Sequence, residues 1–287
     1  MQWEGREESS NVDDRRGMGG GLSTGAVVGG GGSIVLVILA LILGIDPMKF
    51  LGNRGGGGGQ HVGRAPDPEE ERMAKFAKVI FHDTEVIWDE QFQKMGKRYQ
   101  KPTLVLFTDQ VDSACGRADA AVGPFYCPGD SNVYIDLSFY KLLDEQLKSP
   151  GEFARAYVLA HEVGHHVQRL LGYSARVDEA RHSGSKVEAN RMSVRLELQA
   201  DYLAGVWAYY ARKKYPNMLE KGDLESATNA AFHIGDDVLQ KSAGRRVTPD
   251  SFTHGTAKQR QRWFLEGFNT GNIDGARRLF DLPYSDL

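Results

Sequence analysis

The chain carries no marked excess of either charge. Over 287 residues, 35 Lys and Arg stand against 38 Asp and Glu, a formal net charge of -3. No basic run with interleaved aromatics occurs, so the electrostatic footprint of a nucleic-acid binder is missing. Cysteine is scarce as well, and its two copies, Cys115 and Cys127, share a loop-like stretch over 113–130. They read either as two free buried thiols or as a disulfide closing that loop, which would stabilise the fold by about 3 kcal/mol. Such a bond persists only in an oxidising compartment, so the second reading puts the folded part outside the cytoplasm.

Long apolar runs are absent with one exception, and that exception sits in an unusual N-terminal quarter. Glycine is abundant at 34 residues, many of them before residue 64. Residues 1–21 are polar, charged and glycine-rich, and the pattern predicts a disordered tail. Residues 22–45 contain no charge and end in a strongly apolar run from Ile34 to Leu43, which predicts one transmembrane anchor. A cleavable signal peptide fits less well, because no small-x-small site follows Leu43. Arg6, Arg15 and Arg16 before the span balance Lys49, Arg54 and Arg64 after it, so positive charge does not orient it. A disulfide would, by placing the folded part on the extracytoplasmic side. Residues 46–68, with Gly55 to Gly59, Pro66 and Pro68, suit a flexible linker. The remaining 69–287 form the folded domain.

Within that domain, helical periodicity is expected over 69–96, 138–147, 152–171, 187–214, 223–241 and 256–268. Short apolar runs at 103–107 and 133–137 read as buried strands. The stretch 173–186 reads as a polar surface excursion, and 249–255 as a loop. The fold class is α+β, mostly helical with a small sheet, preceded by the anchor.

The 152–171 helix contains His161-Glu162-Val163-Gly164-His165. Residues four apart stack on one helix face, so His161 and His165 can grip one zinc ion, and Glu162, one step round, can reach a water beside it. A third ligand is expected on the 187–214 helix, where Glu188 and Glu197 are candidates. Spacing alone does not separate them. Context favours Glu197: Asp201 lies one turn on, placed to accept the second ring N–H of a ligating histidine. Leu196, Leu198, Tyr202 and Leu203 surround the pair, which argues against a solvated acidic stripe. Gly164, Ala200, Ala204 and Gly205 are small enough to let the two helices approach closely. Further on, His254 lies on the 249–255 loop. It can be carried over the metal to stabilise an oxyanion, with Arg260 as a companion, or it can serve as a capping contact or stay exposed.

These stretches resemble the bacterial neutral zinc metallopeptidase family, a membrane-anchored, zincin-like group. The resemblance rests on the tail from Ser10 to Gly17, Val122 to Pro128, Tyr134 to Leu137, His161 to Gln168, Glu197 to Asp201 and Thr253 to Thr256. The Glu-x-x-x-Asp element also looks like that of the wider membrane gluzincins, in which the Glu is the third ligand, and so implies Glu197. The resemblance implies a zincin domain with one zinc ion and a polypeptide substrate received along an edge strand, for which Tyr134 to Leu137 is the candidate. It departs at His254-Gly255, where related enzymes carry His-Pro.

The expected activity is peptide hydrolysis, with His161, His165 and Glu197 on zinc and Glu162 as general base. A non-catalytic, membrane-tethered zinc-binding scaffold is the competing class; Glu162, unnecessary for holding metal, speaks against it. An intramembrane protease is disfavoured because the motif lies about 115 residues beyond the apolar span.

Overall fold

The computed structural model describes residues 1–17, 67–119, 122–145 and 147–287. Asp67 begins the first long helix, its side chain accepting from the Glu69 N–H at 3.1 Å. Glu69, Glu70 and Glu71 follow in the first turn, where carboxylates meet the positive end of the helix dipole. This helix, α1 (Pro68–Lys94), buries Phe76, Ile80, Trp88 and Phe92.

The main sheet has four strands. Its two central members, β2 (Thr103–Phe107) and β6 (Asn132–Asp136), run parallel with Thr103 opposite Asn132 and Phe107 opposite Asp136. Both faces of this pair are covered, which is why each reads as a nearly continuous apolar run. On the outside lie β1 (Val12–Asp14), parallel to β2, and β5 (Phe125–Cys127), antiparallel to β6. A separate hairpin, β3 (Gln110–Ser113) and β4 (Gly116–Asp119), follows β2. A disulfide from Cys115, exposed in the hairpin turn, ties it to the buried Cys127 of β5. At the end of β6, Asp136 accepts from the N–H groups of Asp109 and Ser138, both at 2.9 Å. That turn launches α2 (Ser138–Glu145).

The helical layer comprises α3 (Glu152–Leu171), α4 (Ser174–Ser183), α5 (Lys186–Lys214), α6 (Asp223–His233), α7 (Asp236–Ser242), α8 (Ala257–Thr270) and the short α9 (Arg278–Asp281). Helices α5 and α8 touch backbone to backbone: a Cβ on Gly205 would stand 2.1 Å from the Phe264 carbonyl oxygen, and one on Gly267 would stand 2.0 Å from that of Tyr202. Gly205 therefore serves the α5–α8 crossing rather than the approach of α3.

Several expectations are corrected. The tail expected over 1–21 belongs to the fold through residue 17. Trp3 packs edge-on against Phe76 with ring centroids 5.4 Å apart, Ser9 and Asn11 donate to the buried Glu85, and Val12–Asp14 is β1. This segment is held by individual polar partners and one Trp, so it needs no apolar periodicity of its own. The expected membrane-spanning helix does not stand. Among the described residues no helix is long and apolar enough to cross a bilayer, and 22–45 lies outside them, as does the expected linker through residue 66. Residues 12–14 share one sheet with strands drawn from 103–136.

Three smaller differences follow from packing. Tyr134 to Leu137 is not an edge, because β6 lies between β2 and β5. The 173–186 excursion contains α4. The helix expected over 223–241 breaks at Gly235, where a Cβ would meet the Ala257 backbone nitrogen at 2.3 Å, and resumes as α7.

Candidate metal centre

Helix α3 presents a column of polar side chains along one face, Tyr157, His161, His165 and Gln168, inside an otherwise apolar element. Facing it, α5 presents Glu197 and Asp201 one turn apart. The helices meet at Gly164, whose missing Cβ would lie 3.1 Å from the Ala200 carbonyl oxygen. Any larger residue would push the two ligand-bearing faces apart.

Ligand atoms of His161, His165 and Glu197 lie within 4.8 Å of one another. His161 Nε2 is 3.2 Å from Glu197 Oε2, and His165 Nε2 is 3.6 Å from Glu197 Oε1. Two imidazole nitrogens and a carboxylate oxygen converging in this way form a donor set suited to zinc, so the residues present fit the ion. Glu188, the other candidate, is exposed in the first turn of α5 and takes no part.

The outer contacts fix how each histidine faces the centre. His161 Nδ1 donates to Asp201 Oδ1 at 2.8 Å, and Tyr157 donates its hydroxyl to the same oxygen at 2.5 Å. Arg260 of α8 closes the group from the other side, with Nε 2.8 Å from Asp201 Oδ2 and a second nitrogen 2.9 Å from Oδ1. Arg260 is 2% exposed and Asp201 0%, so this is a buried ion pair whose arginine neutralises the carboxylate. Arg260 thus acts on Asp201 and, through it, on His161.

These contacts set the protonation states. Burial alone would drive His161 down, but Asp201 and Glu197 overcome it and push the imidazole up to about 9. Burial dominates at His165 and pulls it down to about 4. Asp201, which burial would raise, is held at about 2 by Arg260 and His161. Glu197 is likewise held well below the usual carboxylate range against its burial, by His165, His161 and His254. Glu162 is pushed up to about 7, first by burial and then by the neighbouring Glu197, although His161 and the backbone N–H of Tyr126 pull the other way. That N–H belongs to β5 and sets the outer strand directly against the Glu162 carboxylate.

His254 is neither exposed nor a helix cap. It is 4% exposed, and its Nδ1 lies 3.0 Å from Asp236 Oδ1. Asp236 Oδ2 accepts from the backbone N–H groups of Thr253, His254 and Gly255 at 2.8, 2.7 and 3.1 Å, which fixes the loop. A Cβ on Gly255 would meet Leu198 and Val194 of α5, so the loop sits beside the turn that carries Glu197.

Sequence reasoning missed Tyr157, Gln168, Tyr126 and Asp236. For Tyr157 and Gln168 a signal was present, since they stand four residues before His161 and three after His165 on one helix face. Tyr126 and Asp236 come from distant segments and meet the site only through space.

The donor set and its supporting shell define the class as a His–His–Glu cluster between two helices that is compatible with zinc. The chain belongs to the family described as "Putative neutral zinc metallopeptidase", whose model matches residues 1–277. It is 47% identical to the uncharacterized protein YpfJ of Escherichia coli over 279 residues, 95% of this chain and 96% of that protein. It is 38% identical to uncharacterized proteins of Mycobacterium tuberculosis and Mycobacterium bovis over 246 residues, 81% of this chain and 82% of each of those. No solved structure matches the chain.

Proposed function

We propose that the chain is a zinc-dependent peptidase that hydrolyses peptide bonds with Glu162 as general base. The observation that carries this reading is the convergence of His161, His165 and Glu197 within 4.8 Å beside a buried carboxylate that is not needed to hold metal. When bound, zinc supplies Lewis-acid chemistry, acidifying a water and polarising the scissile carbonyl. Glu162 takes the proton from the attacking water and delivers it to the leaving amine. His254 Nδ1 donates to Asp236, so Nε2 would donate to the oxyanion that develops on the former carbonyl oxygen only when it carries a second ring proton, as an imidazolium paired with that carboxylate. Asp201, backed by Arg260 and Tyr157, keeps His161 oriented.

The substrate is a polypeptide. Strand β5 supports its entry in extended form: it is an outer strand, and Tyr126 within it touches Glu162. A peptide laid along that edge would be recognised through main-chain hydrogen bonds, largely independent of its side chains. The Cys115–Cys127 disulfide supports an oxidising, extracytoplasmic compartment.

Incubating the purified full chain with denatured casein, with and without a zinc chelator, tests the activity. Cleavage that disappears with chelator and returns on adding zinc is the expected result; cleavage indifferent to chelator, or no cleavage by the zinc-loaded chain, would refute it.

A further inference from the structure

We propose that Gln168 is a positioning residue that fixes how His165 and Glu197 present themselves to the metal, an inference that rests on the zinc reading above. His165 Nδ1 lies 2.8 Å from Gln168 Oε1, and Gln168 Nε2 donates to the Leu196 carbonyl oxygen at 2.6 Å. One side chain, 0% exposed, is therefore bonded to a ligand on α3 and to the backbone of α5 one residue before the other ligand.

The chemistry of the amide makes this arrangement directional. The Leu196 carbonyl can only accept, so the Gln168 nitrogen must face it and the Gln168 oxygen must face His165. That oxygen can only accept, so His165 carries its proton on Nδ1 and keeps the Nε2 lone pair for the metal. The backbone of α5 thus selects the tautomer of a histidine on α3. The same two bonds tie the helices together one turn beyond their contact at Gly164 and Ala200, and so hold Glu197 in register with His165.

The two histidines are backed differently. His161 leans on a carboxylate whose charge is neutralised by Arg260, whereas His165 leans on a neutral amide and needs no counter-ion. Gln offers an acceptor and a donor on two separate atoms of one neutral tip, whereas a hydroxyl carries both on a single atom and Asn is one methylene shorter. Glu would keep the acceptor for His165 but set an anionic oxygen against the Leu196 carbonyl.

The full chain, stripped of metal and reloaded, provides the test, with zinc affinity read by competition against a chromophoric chelator and ligand geometry read from the visible spectrum of the cobalt(II) form. Gln168→Met, which removes both hydrogen bonds at similar volume, should weaken zinc binding by about tenfold to a hundredfold and shift the cobalt spectrum. Gln168→Glu, which still accepts from Nδ1–H but loses the bond to the Leu196 carbonyl, should give a cobalt spectrum between those of wild type and Gln168→Met while binding zinc more weakly than wild type. Gln199, equally buried but donating to the Ala276 carbonyl at 2.8 Å, controls for loss of a buried amide. Gln199→Met should lower the thermal midpoint of the metal-free chain and leave zinc affinity unchanged. Wild-type zinc affinity and spectrum in Gln168→Met would overturn the proposal, as would a Gln168→Glu spectrum identical to that of Gln168→Met. Failure of the wild-type chain to bind zinc would instead overturn the metal reading beneath it.

Discussion

Asn11 donates through Nδ2 to Glu85 Oε1 at 2.6 Å, across a sequence separation of 74 residues. Ser9 reaches the other oxygen of the same carboxylate at 3.1 Å, and Glu85 is 1% exposed. A segment with the composition of a loose tail is thereby the hydrogen-bond complement of a buried charge on α1. Asn11→Ala should destabilise the chain by about 1.5–3 kcal/mol, the range for a hydrogen bond to a charged group. Urea unfolding monitored by circular dichroism checks this; a midpoint unchanged from wild type would mean that the N-terminal segment is not held as described.

Glu162→Gln removes the proton acceptor and leaves all three metal-binding side chains in place. Zinc content should stay at the wild-type level while casein cleavage falls by about 10²–10⁴-fold, the usual weight of general acid–base catalysis. Metal analysis and a quenched-fluorescence peptide assay on the same preparation read both quantities. Wild-type turnover in this variant would remove Glu162 from the mechanism.

Glu197→Ala and Glu188→Ala separate the two acidic candidates on α5. Only Glu197 stands with the histidines, so its loss should sharply reduce bound zinc after dialysis, whereas Glu188→Ala should retain it. The reverse pattern would reassign the third ligand.

Zinc loading should also release protons. With His161 pushed up to about 9, the metal-free chain carries a proton on this ligand at pH 7, and zinc must displace it. His165, at about 4, and the depressed Glu197 are already deprotonated there and contribute none. The apparent affinity should therefore fall by about tenfold per pH unit below about 9, with about one ligand proton released at pH 7. Titration calorimetry in two buffers of different ionisation enthalpy measures the count; no buffer dependence would contradict it.

The parts of this architecture that were legible in the sequence are those in which one element carries its own pattern. Helix α3 shows its apolar periodicity and its His-Glu-x-x-His spacing together, and β2 and β6 are apolar because both their faces are covered. Glu197 and Asp201 could be paired because they share a helix face. Strands β1 and β5 were not legible: three residues at the margin of a sheet have no room for alternation, and their identity is settled by the neighbours they meet. Gly235 interrupts a helical pattern for a reason visible only in the Ala257 backbone that crowds it. The anchor expected over 22–45 was argued from local hydropathy alone. Hydropathy carries no information about whether the segments on either side must later meet.

The pairing of the N-terminal segment also has a consequence for the order in which the protein can be completed. Gln2 donates its backbone N–H to the Met218 carbonyl at 2.8 Å, and the Leu104 N–H donates to the Asn11 carbonyl at 2.9 Å. A chain made from its N-terminus at about 5–20 residues per second emits Gln2 roughly 10–40 s before Met218 exists. For that interval the Gln2 N–H lacks its acceptor, although Phe76 and β2, which Trp3 and β1 meet, are already made. Gln2 is thus made early and locked late, and any chain stopped short of Met218 leaves that end of the N-terminal segment without its partner.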